Sequence, residues 1–425
     1  METSAIYPAA PAAHVSDLPA NRLVTGILIA STAYQAVLCL IHTHFFPASP
    51  ALVGLAELSI YLACVPLLLR QFPPGVLATI VAIGASITLM TLLRNAVDLK
   101  PLRDLAIPVL FYWLGRNAGS IDLADRILKQ IVLLVLVAGL FELLLPNVFT
   151  QIFNIFSYYV SQGGITVDTN FISDSRLQLN GLRPEGIGRT ILPVLFGSHR
   201  ISSIFLEPVS LGNFAVITAA WGFAKPREEI RTALFFIVSA AVLIALSDSR
   251  YGLLMFGLLF ALRLSMVDRL PGLAILFPFM SILFLLALAV LQPDVVGDNI
   301  VGRLTTSGRA LTGFDMPMIL GITGSNINFG DMGYAYVLTR FGLFLALYLW
   351  LSLWLIPVSN STGTRFRVYL ALYIALILCV SGTSLFALKT AGLAWFLLGT
   401  VADRMPRLQP AKLLRKPIGR QYAQA

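Results

Sequence analysis

Apolar runs of roughly 20 residues, parted by short polar connectors, recur from residue 23 to residue 402. A helix on a water-soluble core carries one apolar stripe, whereas these segments are apolar on every side, as lipid-embedded or bundle-centre helices are. The short alternating segments of a membrane β-barrel are not found. The pattern predicts twelve spans, at 23–46, 51–69, 75–93, 102–117, 127–147, 206–224, 231–247, 251–267, 271–292, 334–356, 368–383 and 386–402. The expected fold class is therefore an all-α polytopic integral membrane protein. Its single transmembrane domain covers 23–403, between a tail at 1–22 and a basic tail at 404–425. No period of 20–50 residues repeats, so a solenoid is excluded.

Composition agrees, at 57% hydrophobic and 12% charged residues, with a mean hydropathy of +0.82. The charges then orient the spans. With the N-terminus inside, eighteen of the 30 Lys and Arg fall on the cytoplasmic side. Six of the remaining twelve lie in two long loops, 148–205 and 293–333, and long loops cross regardless of charge. Both termini are thus expected in the cytoplasm and both long loops outside. The net charge of +9 follows from topology and anionic lipid and does not imply nucleic acid.

Residues 1–20 hold no Lys or Arg, hence no basic region of a secretory signal, and read as a disordered Ala/Pro-rich tail. Cys39, Cys64 and Cys379 all sit in apolar segments, and His14, His42, His44 and His199 form no metal-binding pattern. Neither a disulfide framework nor a metal site is expected. In "FTQIFNIFSYYV", Phe149, Phe153 and Phe156 recur at helical spacing, which suits a helix lying in the membrane interface or one packed on the bundle.

Charge is scarce, so its placement is informative. The first outer loop carries Arg176, Arg183, Arg189 and Arg200, the second carries Arg303 and Arg309, and Arg250 stands at the outer end of the eighth span. None of the seven is lysine. A guanidinium binds phosphate through a two-pronged fork and keeps its charge at any pH. The set fits a cationic cavity for a polyanion carried on a lipid; pairing with loop carboxylates or lipid headgroups is the alternative. Glu57, Glu142 and Glu207 lie in or beside spans near the same side, and Asp248 flanks Arg250. A carboxylate in the membrane is by default functional or paired, and for Glu57 and Glu142 an ion pair fixing helix register is favoured. Lys389 is expected to snorkel outward or to pair with one of these acids.

Gly313, Gly321, Gly324, Gly330 and Gly333 let the second loop turn tightly around a ligand, or simply leave it flexible. Tyr158, Tyr159, Tyr334 and Tyr336 read as interfacial belt aromatics or as platforms for sugar rings.

Three stretches carry a family resemblance. "LSDSRYGLLMFGLLF" resembles the Ser-Arg-Gly-rich helix start of the O-antigen polymerase and ligase superfamily. "HRISSIFLEPVSLGNFAV" resembles its Arg and Glu/Asp-Pro lead-in to the following span, and "TSGRALTGFDMPMILGITGSNINFGDMGYAYVLTRFGLF" its second large periplasmic loop. The likeness covers roughly residues 180 to 345 together with the span count, and is strongest to Wzy-type exopolysaccharide repeat-unit polymerases of the xanthan kind.

The resemblance implies a GT-C-like glycosyltransferase of the bacterial inner membrane that needs no metal or other cofactor. It would move a glycan from undecaprenyl pyrophosphate onto the next lipid-linked repeat unit. By position, Arg250 and Arg309 match the family's pyrophosphate-binding arginines, with Arg200, Arg189 and Arg303 completing the set. Arg303 has the alternative role of anchoring its loop. Family ligases place a His before the helix that begins here at Gly333, where this chain has Asp331, which argues against ligation to a lipid core. Asp331 and Glu207 are the candidates for the acceptor base, Asp331 ranking slightly ahead. Expected partners are lipid-linked oligosaccharides, membrane lipids, and chain-length regulator and export proteins. A lipid-linked oligosaccharide flippase or other transporter, or an O-antigen-type ligase, is the alternative.

Overall fold

The computed structural model describes residues 18–163, 189–265, 271–295, 297 and 299–403. The tail at 404–425, most of the tail at 1–22, and Arg176 and Arg183 lie outside the described residues. Among the described residues every regular element is a helix. They are α1 (Leu18–His44), α2 (Pro50–Leu68), α3 (Pro74–Arg94), α4 (Lys100–Ala118), α5 (Ile121–Leu144), α6 (Pro146–Ile152), α7 (Ile155–Ser161), α8 (Pro193–Phe196), α9 (Pro208–Ala224), α10 (Ile230–Ser247), α11 (Arg250–Ser265), α12 (Phe277–Leu291), α13 (Ile300–Thr312), α14 (Met316–Ile319), α15 (Gly333–Leu355), α16 (Ser361–Ile377) and α17 (Leu388–Val401).

Starts and stops follow local chemistry. The side chains of Ser49, Ser120 and Asn360 each accept from a backbone N–H three residues on, opening α2, α5 and α16. Asn95 closes α3 in the left-handed conformation, at φ 51°.

Each predicted span overlaps one of the longer helices, α1–α5, α9–α12 and α15–α17, with the largest offset at α16, which ends at Ile377 where the expected segment runs to 383. Seven helical stretches, in α1, α2, α3, α5, α10, α12 and α15, are long and apolar enough to cross a membrane. The chain is a polytopic membrane protein. The other five fall short for separate reasons. Helix α4 contains Lys100, Arg103, Asp104 and Arg116. Helices α9, α11, α16 and α17 have 17, 16, 17 and 14 residues, and 14 residues rise only about 21 Å against a hydrocarbon core of ~30 Å.

Two kinds of apolar helix result. On α3 and α12, Leu77, Val81, Leu92, Met280, Leu283 and Val290 stand exposed, as lipid-facing side chains do. Helix α9 is buried at every residue from Ser210 to Ala224, packed by α10, α11, α16 and α17. Small residues permit the closest crossing: a methyl group on Gly115 of α4 would collide with Phe396 O of α17, and one on Gly399 with Tyr112 O.

Among the described residues, the long loops carry more helix than the polarity pattern suggests. The expected single helix over Phe149, Phe153 and Phe156 is two short ones, α6 and α7, parted at Phe153–Asn154, and they are packed on the bundle: Phe149 is buried against Phe141 and Phe153, and α7 lies on α1 through Tyr158 and His42. Residues 300–312, read as loop, form α13. The face it turns inward is Gly302, Thr305, Ser307 and Gly308, and a methyl at Gly308 would strike Leu285 O of α12. Ile300, Leu304 and Leu311 recur at helical spacing, but the segment as a whole is too polar to read as a span, so a search for apolar runs passes over it.

Helix α15 is broken at Gly342, with φ 72° and ψ 160°. Gly342 and Gly321, also at positive φ, meet so closely that any side chain on either would clash. Arg94 satisfies carbonyls around the break, donating to Gly321 O at 2.7 Å, Thr339 O at 2.9 Å and Arg340 O at 3.1 Å.

Candidate functional site

The turn between α10 and α11 gathers three of the singled-out arginines. Asp248 caps α10 in the left-handed conformation (φ 49°) and is fully buried. Its carboxylate accepts from Thr190 N at 2.9 Å and Ile191 N at 2.7 Å, which pins residues 190–191 to the turn. Thr190 Oγ1 donates to Asp248 at 3.3 Å and accepts from Arg250 Nε at 2.9 Å. Arg200 Nε donates to Ser247 O at 3.1 Å.

Arg189 is 6% exposed and donates to five carbonyls: Ile191, Phe196, His199, Ala245 and Leu246. Its guanidinium lies over the Phe196 ring at 4.8 Å. In this arrangement Arg189 is a clamp between the first long loop and the end of α10, satisfying carbonyls a helix end leaves unpaired, rather than an open phosphate ligand. Arg250 differs. It is half-buried, and among the described residues its two terminal amino groups have no partner.

Glu142 builds the neighbouring turn. Fully buried at the end of α5, it accepts from Ser202 N at 2.9 Å, Ser203 N at 2.6 Å, Ser202 Oγ at 3.1 Å and His199 Nε2 at 2.8 Å. This anchors residues 199–206, where Ser203 and Leu206 take positive φ, and delivers Glu207 as the residue before α9.

Glu207 joins three helices at this end. Lys389, 5% exposed on α17, donates to Glu207 Oε2 at 3.1 Å, Gln35 Oε1 of α1 at 2.8 Å and Phe205 O at 3.0 Å. Ser210 Oγ donates to the same Glu207 oxygen at 2.7 Å. Lys389 thus pairs with an acid, one of its two expected fates. Tyr159 stands nearby with a buried hydroxyl lacking a hydrogen-bond partner; burial and the Glu207 charge push that hydroxyl well above its ordinary pKa. Glu57 also pairs, holding Arg103 at 2.7 Å and Tyr34 at 2.8 Å, so it ties α2 to α4 and α1.

Arg303 and Arg309 stand on a separate element, α13. Arg309 is half-buried and makes two long bonds, to Pro293 O at 3.2 Å and Thr306 Oγ1 at 3.3 Å. Asp331 is exposed, and among the described residues only its carbonyl is engaged, by Ser307 Oγ of α13 at 3.5 Å. The last turns of α16 bridge the two groups. Tyr251, next to Arg250, donates to Tyr373 O at 3.4 Å, and Tyr334, shortly after Asp331, donates to Ala375 O at 2.9 Å. Arg250, Glu207, Asp331 and α13 therefore share one end of the bundle.

The four tyrosines do not form a sugar platform or a belt. Tyr158, Tyr334 and Tyr336 are buried, and Tyr159 is half-buried with its hydroxyl enclosed. Tyr336 donates to Asp104, and Arg340 beside it pairs with Asp98. Sequence reasoning does not single out this cluster of α3, α4 and α15, with Arg94 and Lys100 at its edge: Arg94, Asp98, Lys100 and Asp104 lie together in 94–104 and read as a polar connector, and their partners Tyr336 and Arg340 come from a distant span. The three cysteines are free and buried, and among the described residues no group of three metal-ligating side chains occurs. Comparison with models of protein families, with curated proteins and with solved structures returned no match for this chain.

Proposed function

We propose that this protein is a Wzy-type glycosyltransferase of the bacterial inner membrane, with twelve spans in a GT-C-like arrangement and both termini in the cytoplasm. It polymerises undecaprenyl-pyrophosphate-linked repeat units into exopolysaccharide on the periplasmic side. The observation that carries the reading is the open guanidinium fork of Arg250 at a turn rigidly built by Asp248, Thr190 and the Arg189 clamp. A fixed cation with free donors is what a diphosphate needs, and the same donors stabilise the charge it gains on leaving.

In this reading Arg250, Arg200 and Arg309 hold the pyrophosphate, while Arg189 and Arg303 keep the two loops in place. An acceptor hydroxyl attacks the anomeric carbon of the donor glycan, the bond from that carbon to the pyrophosphate oxygen breaks, and the configuration inverts. The hydroxyl proton passes to a carboxylate. Asp331 suits that role through its accessibility. Glu207 keeps one oxygen, Oε1, without a partner among the described residues, while Lys389 and Ser210 orient the other. Chain-length regulator and export proteins are the expected partners.

The test is to incubate purified protein with lipid-linked repeat units and size the product. Polymer from wild type and none from Arg250→Ala supports the reading, and no polymer from correctly folded wild type overturns it. A transporter of lipid-linked oligosaccharide is the second reading, and the break of α15 at Gly342 favours it, since transporters build sites at interrupted helices. Loss of a polymerase leaves single repeat units exported; loss of a flippase leaves none.

A further inference from the structure

An apolar cleft of about 430 Å³ opens between α3, α4, α12, α15, α16 and α17. Along α15 its lining runs from Tyr334 through the break at Gly342 to Ile356, over almost the whole of that broken helix. At the end remote from Arg250 the lining changes character, with Tyr112, Arg116, Ile356 and Pro357 at the mouth. Arg116 is only 8% exposed. It lies beside the Tyr112 hydroxyl, and among the described residues no carboxylate or carbonyl accepts from its guanidinium. A second cation, Arg367, borders the same mouth: it donates to Ile356 O at 2.8 Å, stacks on Trp354 at 5.2 Å, and has a buried Nε without a partner.

A guanidinium stays charged at any pH, and a buried charge without a counter-ion is strongly unfavourable. Among the described residues no acid pairs with Arg116, so its remaining open edge at the mouth is a place for an anion from outside them. An inorganic ion would satisfy Arg116 but would leave the apolar cleft open. We propose that the mouth holds an anionic phospholipid, its phosphate paired with Arg116 and an acyl chain lying in the cleft along α4 and α15. The site is at the opposite end of the bundle from the proposed pyrophosphate cradle and does not depend on that reading.

The experiment titrates the purified full-length protein in detergent with phosphatidylglycerol or phosphatidylcholine of identical acyl chains, reading bound lipid by native mass spectrometry. Phosphatidylglycerol should be held about tenfold more tightly, as a charge-assisted bond to an ionised group allows. Arg116→Gln should abolish that preference, Arg116→Lys should keep most of it, and Ile282→Trp, which fills the cleft, should weaken both lipids alike. Equal retention of the two lipids by wild type overturns the proposal even if no variant folds. So does an undiminished preference in Arg116→Gln, or displacement of phosphatidylglycerol by an equimolar polyprenyl phosphate, which would assign the cleft to the substrate lipid.

Discussion

Arg250 is the residue on which the proposed chemistry can be separated from the fold. Among the described residues its single side-chain bond runs from Nε to Thr190 Oγ1 at 2.9 Å. Removing one such bond costs about 0.5–1.5 kcal/mol of stability, so Arg250→Ala should still insert and fold. Its terminal amino groups would make two charge-assisted bonds to the diphosphate, each contributing about 1.5–3 kcal/mol. At 1.4 kcal/mol per decade, loss of both lowers kcat/KM by about two to four orders of magnitude. Arg250→Lys keeps the charge but loses the fork, so a drop of about tenfold or more is expected.

The assay is single-turnover transfer between lipid-linked units in detergent, run beside thermal unfolding of each variant. The expected result is unfolding temperatures within a few degrees of wild type and activities ordered wild type, Lys, Ala. Wild-type rate from Arg250→Lys would show that charge alone matters and that no two-pronged contact exists. Wild-type rate from Arg250→Ala would remove Arg250 from the site, and with it the diphosphate cradle at this turn.

Arg189→Met should behave oppositely, because five carbonyls lose their donor; a loss of about 3–5 kcal/mol should appear as a lower unfolding temperature and poor insertion. Lys389→Met leaves Glu207 without its cation, and the double variant with Glu207→Gln should recover part of the lost thermal stability, whereas simple additivity would argue against coupling. Gly308→Leu drives a side chain into Leu285 O and should detach α13 from α12, read as faster proteolysis within 293–316; unchanged protection would contradict the small-residue contact. Asp331→Asn should slow transfer without weakening donor binding, and an unaltered rate would pass the base role to Glu207 or to water.

What the chain discloses in its order of residues, and what it keeps back, divides along a physical line. A span is a local property: twenty apolar residues must be a helix in lipid because no other local arrangement pairs their backbone groups. Hence each expected segment overlaps a helix, seven of the helical stretches being long and apolar enough to cross a membrane, and pairing with an acid could be named as one of two fates for Lys389. Helix α13 is equally local, with Ile300, Leu304 and Leu311 at helical spacing, but it is too polar overall to stand out as a span, and it packs through Gly302, Thr305, Ser307 and Gly308. The roles of the arginines are not local at all. Arg189 and Arg250 read alike in a polar outer segment, yet the first meets the carbonyl ends of α10, while the second meets a threonine hydroxyl already oriented by Asp248. A guanidinium surrounded by carbonyls becomes structure; one given a single hydroxyl keeps donors for a ligand. Which of these an arginine becomes depends on where distant chain segments end, and the same reasoning separates Arg94, which closes the break in α15, from Arg116, which faces the cleft with no acceptor among the described residues. Unsatisfied donors, rather than charge as such, are therefore the feature by which sites in this bundle are to be sought.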